Sequence, residues 1–243
     1  TFLNMARTVD WHIYDLRLLL TRPPVEKLLP DRPDFPGMVF PKTIILNLRG
    51  TLIHSEYKFG LGFEILKRPG LSMFLQRLAR QYEVVIFGDE ENGIVNDVCE
   101  ALDPNYELIH GRLGRESTLL KNGVYVKDLS YMNRNLKEII YVDFSDEKVM
   151  FHKDNCIILP RWEGDSTDRE LYDLLPFLEN LAQTQGVDVR EEIRRYGKEG
   201  TGKKFMDIQS ARRDMIIKQR SQGIGGVMTG LSKLNTGQST TQQ

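Results

Sequence analysis

Asn47, Arg49 and Thr51 are the residues whose types and spacing bear most on chemistry. They follow Thr43-Ile44-Ile45-Leu46, apolar or β-branched residues that read as a buried strand ending in a site loop. Phosphoryl transfer through an acyl phosphate needs a carboxylate nucleophile, a proton donor for the leaving group and a cation for the phosphate oxygens. Asn47 is a neutral amide and cannot form the acyl phosphate. Arg49 stays protonated and cannot act as a general acid. Thr51 offers a hydroxyl, whose role could be purely local hydrogen bonding. The loop therefore lacks the groups that acyl-phosphate chemistry needs.

The elements that must hold this loop follow from periodicity. Strands are predicted at 43–48, 83–88, 138–143 and 155–159, and helices near 70–81, 91–102, 133–137 and 166–185. Strands interleaved with helices predict a parallel sheet covered on both faces, with its site at the carboxyl ends of the strands. Ahead of it lie a short amphipathic stretch (Val9, Ile13, Leu16, Leu20) and a proline-rich run, Pro23 to Pro41, that must be an extended strap. Two insertions interrupt the alternation. Residues 54–67, with Gly60 and Gly62, read as a β-hairpin, and 106–127 contain short β-prone pieces turning at Asn122-Gly123. Helical patterns recur at 188–196 and about 203–220, and the last 23 residues, rich in Gly, Ser, Thr and Gln, are expected to be mobile. The domains read as 1–41, 42–186 and 187–243.

The net charge of −1 hides an asymmetry. Residues 1–186 hold 22 Lys+Arg against 28 Asp+Glu, while 187–243 hold 11 against 6. An acidic globular part with a basic tail reads by default as two solvated surfaces of opposite sign; the sharper reading is that the acidic part attracts basic ligands, and nucleic acid fits poorly. Cys99 and Cys156 have no metal-ligand spacing and read as core residues. No apolar run approaches the ~18 residues needed to span a bilayer. The start at Thr1 predicts a trimmed or processed chain, with any targeting peptide or anchor upstream.

Residues 47–51 resemble the Asp-x-Asp-x-Thr motif of haloacid-dehalogenase-like phosphatases, in the branch of the RNA polymerase II tail phosphatases. The resemblance implies a haloacid-dehalogenase-like α/β fold, and it aligns Asn47 with the nucleophile and Arg49 with the general acid. The family's phosphate-binding Ser or Thr falls on Gly88, its lysine on Lys127 and a metal-ligand Asp on Asp143, followed by Phe144 where active enzymes commonly have Asn. No cofactor or metal is expected: a ligand carboxylate is missing and Arg49 opposes a divalent ion. Asp143 is instead expected to pair with Lys127 or with Arg49, the latter close by.

Further segments narrow the likeness: Pro24–Pro30, His54-Ser55-Glu56-Tyr57, Lys67-Arg68-Pro69-Gly70, Asn133–Leu136, Pro160-Arg161-Trp162-Glu163-Gly164 and Asp188-Val189-Arg190. Together they resemble the presequence-receptor family of the mitochondrial inner-membrane translocase, over roughly residues 22–196. That resemblance implies a non-catalytic receptor at the mitochondrial inner membrane, its soluble domain in the intermembrane space and its anchor upstream of Thr1. It would bind basic amphipathic presequences and pass them to the channel subunit. Carboxylate-rim candidates are Asp89, Glu90, Glu91, Glu163, Asp165 and Asp168, with Trp162 as an aromatic contact. The plain alternatives are a helix N-terminus for the first cluster and core packing for Trp162. In the family the first hairpin contacts the channel subunit, which points to Tyr57, Lys58, Phe59, Phe63 and Lys67; an ordinary solvated sheet edge is the alternative. Two further readings stand beside the receptor: a structural subunit of another large inner-membrane assembly, and an active phosphatase, which residues 47–51 oppose.

Overall fold

Continuous runs of buried, mostly aliphatic residues build the centre of the molecule. A computed structural model describes residues 26–59, 62–121 and 123–235. In chain order these carry β1 (Lys42–Leu46), β2 (Ile53–Lys58), β3 (Gly62–Lys67), α1 (Leu71–Ala79), β4 (Tyr82–Phe87), α2 (Asn92–Leu102), β5 (Gly111–Leu113), β6 (Leu119–Lys121), β7 (Val124–Val126), β8 (Ile139–Asp143), β9 (Cys156–Ile158), α3 (Glu170–Gln183), α4 (Val189–Tyr196) and α5 (Thr201–Asn235). The main sheet is parallel, in the order β5-β4-β1-β8-β9, and β2–β3 and β6–β7 are separate antiparallel pairs.

Side chains alternate across β1, so both sheet faces are buried. Ile44 and Leu46 join a core completed by Phe74 and Leu78 of α1, Val95 and Val98 of α2, and Leu174 and Phe177 of α3. Ile45 points the other way, into a smaller core with Val85, Phe87, Leu129, Met132 and Leu29. Leu29 belongs to the strap, whose described residues, 26–41, form no helix and turn at Phe35–Met38. Leu28 N–H donates to Tyr131 O at 2.8 Å, and Arg32 pairs with Glu83 at 3.1 Å. Both cysteines are free and buried, and burial pushes the Cys99 thiol up to about 12.

Three local expectations change. No α-helix forms at 133–137: Asn133 adopts φ 55° and separates 3-10 turns at Leu129–Met132 and Leu136–Glu138. Asn135 caps the second turn by accepting from Lys137 N–H. Within 106–127, Gly111–Leu113 joins the main sheet beside β4, leaving only β6–β7 as the hairpin. The last helix runs to Asn235, well past 220. The amphipathic stretch at 1–20 and the Asn122 and Gly60 turn positions lie outside the described residues.

The chain steps outward from β1 to β4 and β5, then returns to the other side of β1 for β8 and β9. The switch point therefore lies between β1 and β8, where ligand crevices form outside the carboxyl ends of parallel strands. Asn47 follows β1 and Asp143 ends β8 at this point.

Candidate functional site

A tight loop carries the first site residues off β1. Ile53 N–H donates to Leu48 O at 3.0 Å and Gly50 N–H to Ile53 O at 2.8 Å. Gly50 has φ 76°, and a Cβ there would lie 3.0 Å from the Phe144 ring, so glycine suits both the turn and the contact. Beneath the loop, Arg68 donates to Thr51 O at 3.0 Å and Pro160 O at 3.1 Å while pairing with Asp168 at 2.7 Å.

The centre of the site is a closed polar network. Asn47 Nδ2 donates to Asp143 Oδ1 at 2.7 Å, and Lys127 Nζ donates to Asn47 Oδ1 at 2.9 Å. Only this amide orientation satisfies both neighbours, because an ammonium needs an acceptor and a carboxylate needs a donor. Thr51 Oγ1 donates to Asp143 Oδ1 at 3.1 Å, the Phe144 N–H to the same oxygen at 2.6 Å, and the Tyr141 hydroxyl to Oδ2 at 2.6 Å. Lys127 also reaches Phe87 O at 2.7 Å, the Tyr141 hydroxyl at 3.1 Å and Asp89 Oδ1 at 2.9 Å. Asp89 pairs a second time, with Lys148.

Burial sets the electrostatics. It pushes the Lys127 ammonium below its usual pKa, against the pull of Asp89 and Asp143. It raises Asp143, although Lys127 opposes the rise. Burial also works against Asp89, but Lys127 and Lys148 outweigh it and hold that carboxyl low.

These groups do not fit a divalent ion. The nitrogen of Asn47, not an oxygen, faces Asp143, and Lys127 holds the amide oxygen. No group of three His, Cys, Asp or Glu side chains among the described residues could hold a metal. Gly88 offers no hydroxyl, and a Cβ there would lie 2.6 Å from Val95 Cγ2 and 3.0 Å from Glu90 Oε2.

Arg49 is not beside Asp143 as expected. Its backbone carbonyl accepts from Asn47 Nδ2 at 3.1 Å, but its side chain turns outward and pairs with Glu90 at 3.0 Å. The partner of Asp143 is the Asn47 amide, supported by the nearby Lys127 charge. A guanidinium in that buried space would displace the lysine.

Two cavities meet above the network. One, of about 500 Å³, is lined by Arg49, Asp89, Glu90, Arg115, Lys148 and Arg161 among others. The second, of about 330 Å³, is apolar, between the β2–β3 hairpin and α2, with Leu48, Ile53, Ile65, Ile94 and Val98 on its walls. Arg49, Glu90 and Ile94 line both. Thus Asp89, Glu90 and Glu91 come together at one cleft. The later cluster does not join them: Trp162 is buried and donates to Asp165 O at 2.8 Å, Asp168 holds Arg68, Asp165 binds Thr167, and exposed Glu163 lies 3.6 Å from Arg161. In the hairpin, Tyr57 registers with Phe63 and Ile53 with Lys67, and Phe59 at the turn is 97% exposed.

Sequence reasoning missed Tyr141, Lys148, Ile94 and Arg115. Tyr141 carried a signal, since residues two apart on a strand share a face and Asp143 was already singled out. The other three come to the site only through the fold.

Known proteins share much of this sequence. The chain is 38% identical over 220 residues, 90% of its length, to "Mitochondrial import inner membrane translocase subunit tim50" of Aspergillus fumigatus. It is 34% identical over 225 residues to the TIM50 subunit of Arabidopsis thaliana, again over 90% of the chain. It spans 42% and 57% of the lengths of those relatives. The solved structure of Fcp1, an essential RNA polymerase II CTD phosphatase, gives a TM-score of 0.43 at 17% identity, covering 67% of this chain and 56% of that one. Residues 42–190, which contain the buried network and the walls of both cavities, match a family profile, and the chain belongs to the NLI interacting factor-like phosphatase family.

Proposed function

We propose that this chain is a non-catalytic subunit of the mitochondrial inner-membrane import translocase, receiving basic amphipathic presequences in the intermembrane space. The observation that carries the non-catalytic part is the Asn47–Asp143 hydrogen bond, 2.7 Å, backed by Lys127 on the amide oxygen. By the family resemblance Asn47 stands at the nucleophile position, and there both faces of its amide are taken by Asp143 and Lys127. The transport part draws on the similarity to subunits named TIM50 over most of the chain.

The ligand's chemistry matches the paired cavities. An amphipathic helix would lay apolar side chains against Leu48, Ile53, Ile65 and Val98 and bring its cations to Glu90 and Glu91. Asp89 supports this rim from below, since Lys127 and Lys148 both hold it. The hairpin residues Tyr57, Lys58, Phe59, Phe63 and Lys67 are the proposed channel-subunit contact, with exposed Phe59 at its turn.

A second reading, a structural subunit of another inner-membrane assembly, draws on α5, where Met215, Ile216 and Ile217 are exposed. Gentle extraction from mitochondria and identification of the co-purified chains separates the two. Recovery with the import channel subunit is expected, and recovery only with a different assembly would overturn the import role. Magnesium-dependent phosphatase activity should stay at background, also in the Asn47→Asp/Arg49→Asp double variant, because Gly88 still lacks a hydroxyl. Turnover lost on Lys127→Ala would overturn the non-catalytic reading.

A further inference from the structure

The rim carboxylates are not free to meet a cation. Asp89 is held by Lys127 and Lys148, Glu90 by Arg49 and Glu91 by Arg115. Four cations, Arg49, Arg115, Lys148 and Arg161, face those three carboxylates across the cleft. A basic ligand therefore finds no uncompensated negative charge until an internal cation leaves.

The pairs differ in how easily they open. Lys127 is fully buried, so its pair with Asp89 is fixed. The Arg49 side chain is 52% exposed and stands on the wall shared by the apolar and charged cavities. Its backbone is pinned to the buried network through the Asn47 Nδ2 contact. The side chain can swing to solvent without disturbing that network, uncovering Glu90 where the apolar groove begins.

Resting on the receptor reading above, we propose that Arg49 is a built-in occupant of the ligand's cation subsite, a gate on Glu90 that a basic amphipathic helix must displace. Binding then exchanges one ion pair for another. Recognition by apolar contact and recognition by charge become coupled, because displaced Arg49 leaves both cavities at once. A basic but polar peptide lacks the apolar contacts that offset opening. An apolar but neutral peptide has no cation to replace Arg49.

The test is calorimetric titration of the 243-residue chain with a synthetic basic amphipathic peptide and with a control whose Lys and Arg are changed to Gln. Arg49→Gln should tighten binding of the basic peptide by about two- to fivefold, the range set by a partly exposed ion pair. It should also steepen the salt dependence, since Glu90 then meets the ligand uncompensated. Glu90→Gln should weaken binding, and Arg49→Lys, which keeps the charge, should stay near wild type. Arg161→Gln controls for general loss of positive charge, because Arg161 stacks on Phe144 and lies near Glu163 instead. Equal tightening by Arg161→Gln, or no tightening by Arg49→Gln while Glu90→Gln still weakens binding, overturns the gate and leaves the receptor reading intact. Absence of binding by wild type and every variant overturns both.

Discussion

Changing Asn47 to Asp exchanges an amide NH2 for a carboxyl oxygen of nearly the same size and should nonetheless destabilise the protein. Asn47 Nδ2 lies 2.7 Å from Asp143 Oδ1, so the substitution sets two carboxylate oxygens against each other. Two carboxylates at this distance do not both ionise, and they share a proton. Above the pKa of that proton the fold loses a hydrogen bond to a charged acceptor, worth about 1.5–3 kcal/mol. At about 2–4 °C per kcal/mol for a domain of this size, the melting temperature should fall by roughly 3–12 °C. The sign of the pH dependence follows. The shared proton raises the folded pKa above the unfolded one, so the folded state holds more protons. The loss is then absent below the unfolded carboxylate range and grows as pH rises through the folded value. Burial already raises Asp143 in the wild type, with Lys127 opposing, and a second carboxylate at position 47 would raise it further. Thermal melts followed by circular dichroism should show the two proteins converging in acid and diverging near neutrality. A variant as stable as wild type at neutral pH, or one offset equally at every pH, would refute the bridging role of the amide.

Asp168→Asn leaves the fully buried Arg68 without its carboxylate and should cost about 3–5 kcal/mol, read by urea unfolding; a cost near zero would mean that the Thr51 and Pro160 carbonyls suffice. Burial opposes ionisation of Glu83, yet hydrogen bonds from Arg134, Thr43 and Arg32 outweigh it and hold the carboxyl at about 2. Its contribution is present above the usual carboxylate pKa and lost as pH falls toward 2, so Glu83→Gln should lower stability at neutral pH and flatten the acid limb of the stability curve. An unchanged acid limb would contradict that pairing. Gly202→Ala drives a Cβ into the Asp173 carbonyl, so α5 should loosen from α3 and limited proteolysis should cut near its start; unchanged protection would show that the contact can relax.

The sheet was legible because its strands carry strong signals. Ile44, Ile45 and Leu46, Val84 to Phe87, and Ile139 to Val142 are short, β-branched-rich runs that suit a doubly covered sheet. β5 was missed because three residues are too few to show a period, and a strand that short is set by its neighbour β4. The helix expected at 133–137 failed because Asn133 and Asn135 favour caps and left-handed turns over helix interiors. The individual site residues were readable from type and spacing, but their pairings were not. Arg49 faces Glu90 and not Asp143 because Lys127 already supplies the buried charge. That choice depends on which long side chain the fold brings within reach of the buried carboxylate. The Arg68–Asp168 pair joins positions 100 residues apart, which no local pattern encodes.

The proposed receptor role turns on where a presequence lies. Ile94 lines both cavities and is 49% exposed, so a photo-activated cross-linker there should sit against a bound ligand. Precursor chains arrested during import into mitochondria should form an adduct at position 94, and excess synthetic basic amphipathic peptide, but not its neutral counterpart, should abolish it. The same cross-linker in place of exposed Met38 in the strap should give little. Equal yields at the two positions, or no precursor adduct at 94, would contradict presequence reception at this cleft.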